Sequence, residues 1–338
     1  MPPAPLTPLK IRAVLTLIFS TTSQLGITGL ATAYALWRAR LSALVLLYAN
    51  WVVWDNRPYE VNEEPRKVPF WLMWLPKYLG EYFDQSFITT STIYPLEGPY
   101  LFCMHPHGVN GFGPQIAAPQ IPEVVAPGVN IRHAGIRGVF YIPVFRELAI
   151  AYNTIPVMED IMLQHLCKGI SLTVVVGGAV EALLCGYPDA LPIVLDKRKG
   201  FVRLAVKSGA RLVPCLNFGE SQTFDQVFSQ PVRDVQTRLM DWLGFSLPLL
   251  KPNYWFAPFF PKRQRLTMVV GKPLQGVKID PAHPDFEAAV DALHTQYIEA
   301  LKQLHADNRE KYGLPSEQKL IIVSSQEARN LELLRAKI

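Results

Sequence analysis

Charge is scarce in this chain. Of 338 residues, 33 are Lys or Arg and 28 are Asp or Glu. That makes 18% charged, against roughly 25% in ordinary soluble domains. Apolar residues reach 49%, a balance that describes a membrane-associated protein with a folded body. The net charge of +5 is mild, so its distribution matters more than its size. Cysteine is scarce too. Cys103, Cys167, Cys185 and Cys215 are scattered without C-x-x-C spacing, which fits a reduced, cytosol-facing environment and small core residues rather than ligands or nucleophiles. No internal repeat is visible. A small-residue cleavage site is also missing after the amino-terminal apolar run, and the run is too long for a cleaved signal peptide.

Long apolar runs are present at that end. Ala13 to Trp37 carries no charge over 25 residues, about 37 Å as a helix and enough for a ~30 Å hydrocarbon core. Arg38 and Arg40 interrupt it, and Leu41 to Trp54 continues apolar for 14 residues, only about 21 Å as a helix. Two arrangements fit: a re-entrant hairpin, or one span followed by an interfacial segment with Tyr48, Trp51 and Trp54 at headgroup level. Lys10 and Arg12 oppose Arg38 and Arg40, so flanking charge does not set an orientation. The chain divides into a membrane anchor (1–54), a Pro-punctuated linker with an interfacial amphipathic segment (55–98), a catalytic body (99–316) and a tail (317–338) without readable chemistry.

Within the body, Tyr100–Met104, Ser171–Val176, Arg211–Asn217 and Arg265–Val270 read as strands. Glu159–Lys168 and Gly200–Ser208 read as helices between them. This alternation predicts an α/β fold with a mostly parallel sheet flanked by helices and a site at the carboxyl ends of strands. Residues 247–265, "LPLLKPNYWFAPFFPKRQR", are a Pro- and aromatic-rich excursion, either a second membrane-touching loop or a packed surface loop.

The chemistry concentrates at strand ends. "PYLFCMHPHGVNGFGP" (99–114) runs a buried-type strand into His105-Pro106-His107-Gly108. Two imidazoles there are a general base, a metal pair or an ordinary turn. The remaining histidines supply no convincing further ligands: His133 and His165 fall in helix-like or loop contexts, and His283, His294 and His305 in the polar carboxyl-terminal region. Gly108, Gly111 and Gly113 would let a substrate approach closely. "SLTVVVGGAVEALL" (171–184) leads a strand through Gly177-Gly178 to Glu181 in the first turn of a helix, where it either caps or orients the histidine base. "LDKRKGFVRLAVKSGARLVPCLNFGE" (195–220) has six basic residues from Lys197 to Arg211 and no acid between them. Lys199, Arg203 and Lys207 share one helical face, a cationic ridge suited to phosphates, with Lys197 and Arg198 just before it. Its partner is an anionic headgroup or a phosphate-rich co-substrate such as coenzyme A; nucleic acid does not suit a chain with a membrane anchor. Asn217 and Glu220 close the segment, Glu220 as a second site carboxylate or a turn residue.

In combination, "YLFCMHPHGVNGFG", "VVVGGAVEAL", "LDKRKGFVRLAVKSGARLVPCLNFGE", "MVVGKPL" and "KYGLP" resemble the second diacylglycerol acyltransferase family, which includes monoacylglycerol and wax-alcohol acyltransferases. The resemblance spans about 65–316. It implies an endoplasmic reticulum enzyme with a cytosol-facing site, also found on lipid droplets, that moves an acyl chain from acyl-CoA to an acylglycerol hydroxyl without a cofactor or metal. It makes His105, Pro106, His107 and Gly108 the catalytic signature. The wider glycerolipid acyltransferases place an Asp after four residues beyond the His. Here Asn110 and Phe112 occupy the two corresponding positions, so Glu181 becomes the candidate carboxylate. The expected catalytic set is His105, His107 and Glu181. Pro106, Gly108, Asn110, Gly177, Gly178, Lys197, Arg198, Lys199, Arg203, Lys207, Asn217 and Glu220 are the expected substrate-binding positions. The expected partners are acyl-CoA, an acylglycerol and a phospholipid membrane, with homo-oligomerisation left open. The segment Ile155-Pro156-Val157-Met158-Glu159 departs from the Ser-Arg ending of relatives, and Ala151-Tyr152-Asn153 lacks their glycines; both bear on acceptor choice. A fatty-alcohol acceptor and, from another class, a metal-dependent membrane hydrolase or a non-catalytic lipid-droplet scaffold stand as alternatives.

Overall fold

Alternation along one strand decides how the body is layered. The computed structural model describes residues 27–39, 42–62, 64, 66, 68, 72, 74–93, 97–187, 190–252 and 260–337. Two amino-terminal helices, α1 (Ile27–Arg38) and α2 (Ser42–Trp54), precede α3 (Trp74–Tyr82) and the short strand β1 (Ser86–Thr89). There follow β2 (Tyr100–His105), α4 (Phe112–Ala117), α5 (Ile121–Val124), β3 (Ile131–Gly135), α6 (Phe145–Ala151), β4 (Thr154–Pro156), α7 (Glu159–Cys167) and β5 (Ser171–Val175). A 3-10 turn, Ala179–Leu184, comes before β6 (Ala190–Val194), α8 (Gly200–Ser208) and β7 (Arg211–Phe218). The chain continues through α9 (Gln230–Leu243), β8 (Thr267–Val270), α10 (Phe286–Asn308), β9 (Lys319–Val323), α11 (Ser325–Arg329) and α12 (Leu331–Lys337).

Seven strands form one sheet in the order β1-β8-β7-β2-β5-β3-β4. All neighbours are parallel except β7 and β8. The four strands and two helices expected in the body are all present, with boundaries within two residues. On β2, Leu101 and Cys103 enter one apolar layer with Phe201, Leu204, Val290 and Leu301. Tyr100, Phe102 and Met104 enter the other with Ile121 and Val125. Side chains alternate across a strand, so His105 takes the parity of Leu101 and Cys103 and points under α10.

Several segments lie differently from their sequence reading. Leu79 of α3 and Phe83 just after it pack into the body, buried with Phe112 and Ile116 of α4, and β1 joins the sheet as its edge. The tail is part of the body. β9 pairs with β6 in parallel, and Val323, Ala328, Leu331 and Leu334 bury against Val180, Leu183 and Leu184 of the Ala179–Leu184 turn. Histidine contexts change as well. His133 is on a strand, with Nδ1 3.1 Å from the Thr173 hydroxyl, and His294 and His305 are buried along α10. At the amino terminus, α2 takes up the short second apolar run, while residues 13–26 of the proposed span lie outside the described residues. No described helix is long and apolar enough to cross a membrane.

Leu331→Ala or Leu334→Ala removes buried methyls that support the Glu181 turn. Each is expected to cost about 2–5 kcal/mol, read as a lower denaturant midpoint.

Candidate active site

The central strand β2 ends between β7 and β5, so the loops leaving all three meet at one edge of the sheet. After β2 the chain passes a cis His105–Pro106 bond and reaches His107. Glu181, from the turn after β5, accepts the His107 backbone N–H at 2.6 Å through Oε2 and the Val194 N–H at 2.9 Å through Oε1. Glu220, from the turn after β7, accepts the N–H groups of Phe112 at 3.1 Å and Gly113 at 2.7 Å, and the Asn217 amide at 3.1 Å. Both carboxylates are buried. Burial raises each to about 7, against the pull of these hydrogen bonds and, for Glu181, the charge of Arg198.

The two histidines differ. His105 is fully buried, and its Nε2 lies 2.9 Å from the Tyr297 hydroxyl. That hydroxyl donates to the Cys103 carbonyl at 3.4 Å, so a Nε2–H on His105 uses every hydrogen in the chain and leaves Nδ1 as a buried acceptor without a partner. Burial lowers His105 to about 3, which keeps the ring neutral. His107 is half-buried. Its Nδ1 is 2.8 Å from the Gly108 carbonyl and donates to it; the free lone pair is therefore on Nε2, the nitrogen a base needs. Desolvation, and then the charge of Arg198, lowers the His107 pKa despite the bond to Gly108.

The glycines have a reason other than substrate approach. A Cβ on Gly108 would fall 2.1 Å from a Glu220 oxygen, one on Gly177 2.0 Å from a Glu181 oxygen, and one on Gly113 1.5 Å from the Asn217 amide nitrogen. These three are bare because buried carboxyl and amide groups occupy the space. Gly178 has φ +64, and a Cβ there would stand 3.0 Å from an Arg198 guanidinium nitrogen. Arg198 donates to the Val176 carbonyl at 3.2 Å, and its Nε is buried without a partner. Asn110 is half-buried and offers its carbonyl to Gln115; Pro106 is buried.

Expectation and structure part at two points. Glu181 holds the backbone of His107, not its ring; it is a positioning group. The cationic ridge is also not free: Lys199 pairs with Asp291 at 2.7 Å, Arg203 with Glu287 at 2.7 Å, and Lys207 with Glu159. The acids come from α10 and α7, so a segment without acids in sequence meets three in space. Lys197 is exposed beside Arg198. Glu159, a departure noted in the sequence, is the Lys207 partner, and β4 lies at the sheet edge, with β3 and β5 between it and β2. Tyr297 is the residue that sequence reading missed. Its signal was the stripe Phe286, Val290, Leu293, Tyr297, Leu301 and Leu304, one buried helix face with a hydroxyl at its centre. Among the described residues no three His, Cys, Asp or Glu gather as a metal site.

A family model described as diacylglycerol acyltransferase matches residues 34–323. A diacylglycerol O-acyltransferase 2 of Danio rerio is 33% identical over 82% of this chain and 79% of that protein. That of Homo sapiens is 32% identical over 80% and 72%, and a diacylglycerol O-acyltransferase 2-like protein 6 of Bos taurus 30% over 85% and 87%. Among solved structures, the 1-acyl-sn-glycerophosphate acyltransferase of Thermotoga maritima superposes with a TM-score of 0.40 at 14% identity, over 86% of this chain and 98% of that one.

Each buried carboxyl binds its proton more tightly folded, at about 7, than at its ordinary 4.5. The stability this lends is present in acid and lost as pH rises through 7. Thermal midpoints are expected to fall across that window, and less steeply in Glu181→Gln. Tyr297→Phe, which unpairs a buried imidazole nitrogen, is expected to cost about 1–3 kcal/mol in the same assay.

Proposed function

This chain belongs to the diacylglycerol acyltransferase family, and from that premise we propose how its residues perform the reaction. It moves a fatty acyl group from acyl-CoA to the hydroxyl of diacylglycerol, making triacylglycerol. The observation that carries the assignment of roles is the unequal pair of histidines. His107 Nε2 takes the proton of the acceptor hydroxyl as its oxygen attacks the thioester carbonyl. The C–O bond forms, the C–S bond breaks, and the imidazolium returns the proton to the departing coenzyme A sulfur. A thioester is already activated, so no acyl-enzyme is needed and both substrates are bound together. A backbone N–H of the glycine-rich turn after His107 stabilises the charge that develops on the carbonyl oxygen. His105 and Tyr297 fix the strand end from below, and Glu181 and Glu220 fix the loop from either side.

Arg198 and exposed Lys197 are the cations we assign to the phosphates of acyl-CoA, in place of the ridge that α10 and α7 neutralise. The exposed apolar residues of α1 and α2, among them Leu30, Tyr34, Trp37, Leu46, Leu47 and Trp54, support placing these helices in lipid. With four unpaired cysteines, they support an endoplasmic reticulum or lipid-droplet surface with the site open to the cytosol. Tyr48 donates to Glu147 at 2.7 Å, and Trp51 is flanked by the guanidinium groups of Arg57 and Arg146 at 4.9 and 4.7 Å, so α2 is tied to the body beside α6.

The decisive assay supplies purified protein with labelled acyl-CoA and a mixture of diacylglycerol, monoacylglycerol and fatty alcohol, and identifies the product. Labelled triacylglycerol is expected. His107→Gln is expected to lower kcat by about 10²–10⁴-fold with the unfolding midpoint unchanged; retained turnover would refute the base. Because the His107 pKa lies below its ordinary 6.5, kcat/KM should reach its plateau by that pH and decline only at lower pH. Arg198→Ala should raise the KM for acyl-CoA, and Arg203→Glu should not.

A further inference from the structure

Exposed large apolar residues are isolated over most of the described body, as at Val124, Val157 and Val277. One stretch is different. On α9, Val235, Leu239 and Trp242 stand at i, i+4 and i+7 on the outer face, and Phe245, Leu247 and Leu249 continue the patch into the following turn. Trp242 is 81% exposed. The inner face of the same helix is satisfied: Arg233 donates to the Leu183 and Ala328 carbonyls, Gln236 donates to Leu247, and Met240 is buried. The outer stripe is therefore surplus to folding.

Its charges indicate what covers it. The acids on the solvent side of α9 are engaged, Asp241 by Arg329 at 2.8 Å and Asp234 by Gln230 at 2.7 Å. The exposed cations Arg238 and Lys251 have no ion pair among the described residues. A patch of aliphatic and aromatic side chains with a tryptophan at its edge and unpaired cations beside it matches an anionic lipid surface, with indole at headgroup depth and cations at phosphates. The sequence runs on from this patch as Asn253-Tyr254-Trp255-Phe256-Ala257-Pro258-Phe259, outside the described residues and again aromatic. We infer that the outer face of α9 with the turn through Leu249 is a second lipid-docking surface, separate from α1 and α2, which seats the body on an anionic bilayer or droplet monolayer. The inference rests on the reading that the acceptor is a lipid drawn from that surface.

The test uses full-length protein in vesicles of phosphatidylcholine with a minor share of phosphatidylserine. Trp242→Cys in a Cys167→Ser background carries an environment-sensitive fluorophore, and Val277→Cys in the same background is the control. Quenching by lipids brominated on their acyl chains is expected at 242 and not at 277; equal quenching at the two sites would overturn the proposal. Fluorophore self-quenching that depends on protein concentration and not on lipid would assign the face to a second copy, and so overturn it too. In parallel, Val235→Ser/Leu239→Ser/Trp242→Ser is expected to raise KM for vesicle-borne diacylglycerol roughly tenfold. It should leave turnover of a dispersed short-chain diacylglycerol unchanged. An unchanged KM on vesicles would also overturn the proposal, whereas wild-type inactivity on the short-chain acceptor would instead count against the reaction assigned above.

Discussion

Two buried carboxylates hold one loop by its backbone. Glu181 and Glu220 come from the turns on either side of the central strand, and what they grip are amide hydrogens of the segment between them. An amide has no alternative position once the chain trace is set, so this grip fixes where the His107 ring starts from. It also dictates local composition. Gly108, Gly113 and Gly177 lie where a Cβ would collide with the gripping side chains, so the glycine-rich character of the segment follows from the carboxylates. Burying a carboxylate is costly unless donors surround it; here the donors are the loop itself, and the cost and the positioning are one arrangement.

The same economy separates the two imidazoles. Strand parity turns His105 inward, where Tyr297 and the Cys103 carbonyl complete a closed line of hydrogens. His107, beyond the proline, is free of that parity and is half-buried, with its Gly108 bond selecting the tautomer. The wider acyltransferase pattern attaches an acid to its base through the sequence. In this chain the buried acid Glu181 instead holds the peptide N–H of His107. Arg198 adds a positive charge nearby, which opposes protonation of His107.

Much of this was legible in the sequence. The strands ending in His, Gly and Asn, the helix from Gly200 to Ser208, and the convergence of the histidine loop with Glu181 follow from periodicity and from the rule that parallel sheets gather their loops at one edge. The rest depended on long-range pairing. The Lys199–Lys207 face is cationic in one dimension and neutral in three, since Asp291, Glu287 and Glu159 arrive from elements far along the chain. The α3 segment has an amphipathic pattern that fits a bilayer as well as a neighbouring helix, and only α4 distinguishes the two. Tyr297 was hidden because a hydroxyl in an apolar stripe looks like packing until the strand beneath it ends in a histidine.

One contact has a bearing on how the protein is made. Glu181 takes its second hydrogen from Val194 at the end of β6, and β6 has β9 as its strand partner, with the Leu195 and Asp196 amides both bonded to the Val323 carbonyl. The support of the histidine loop is thus completed by residues translated long after the loop itself. A ribosome-bound chain that has not yet released β9 therefore carries the histidine loop before the strand that pairs with β6 beneath it.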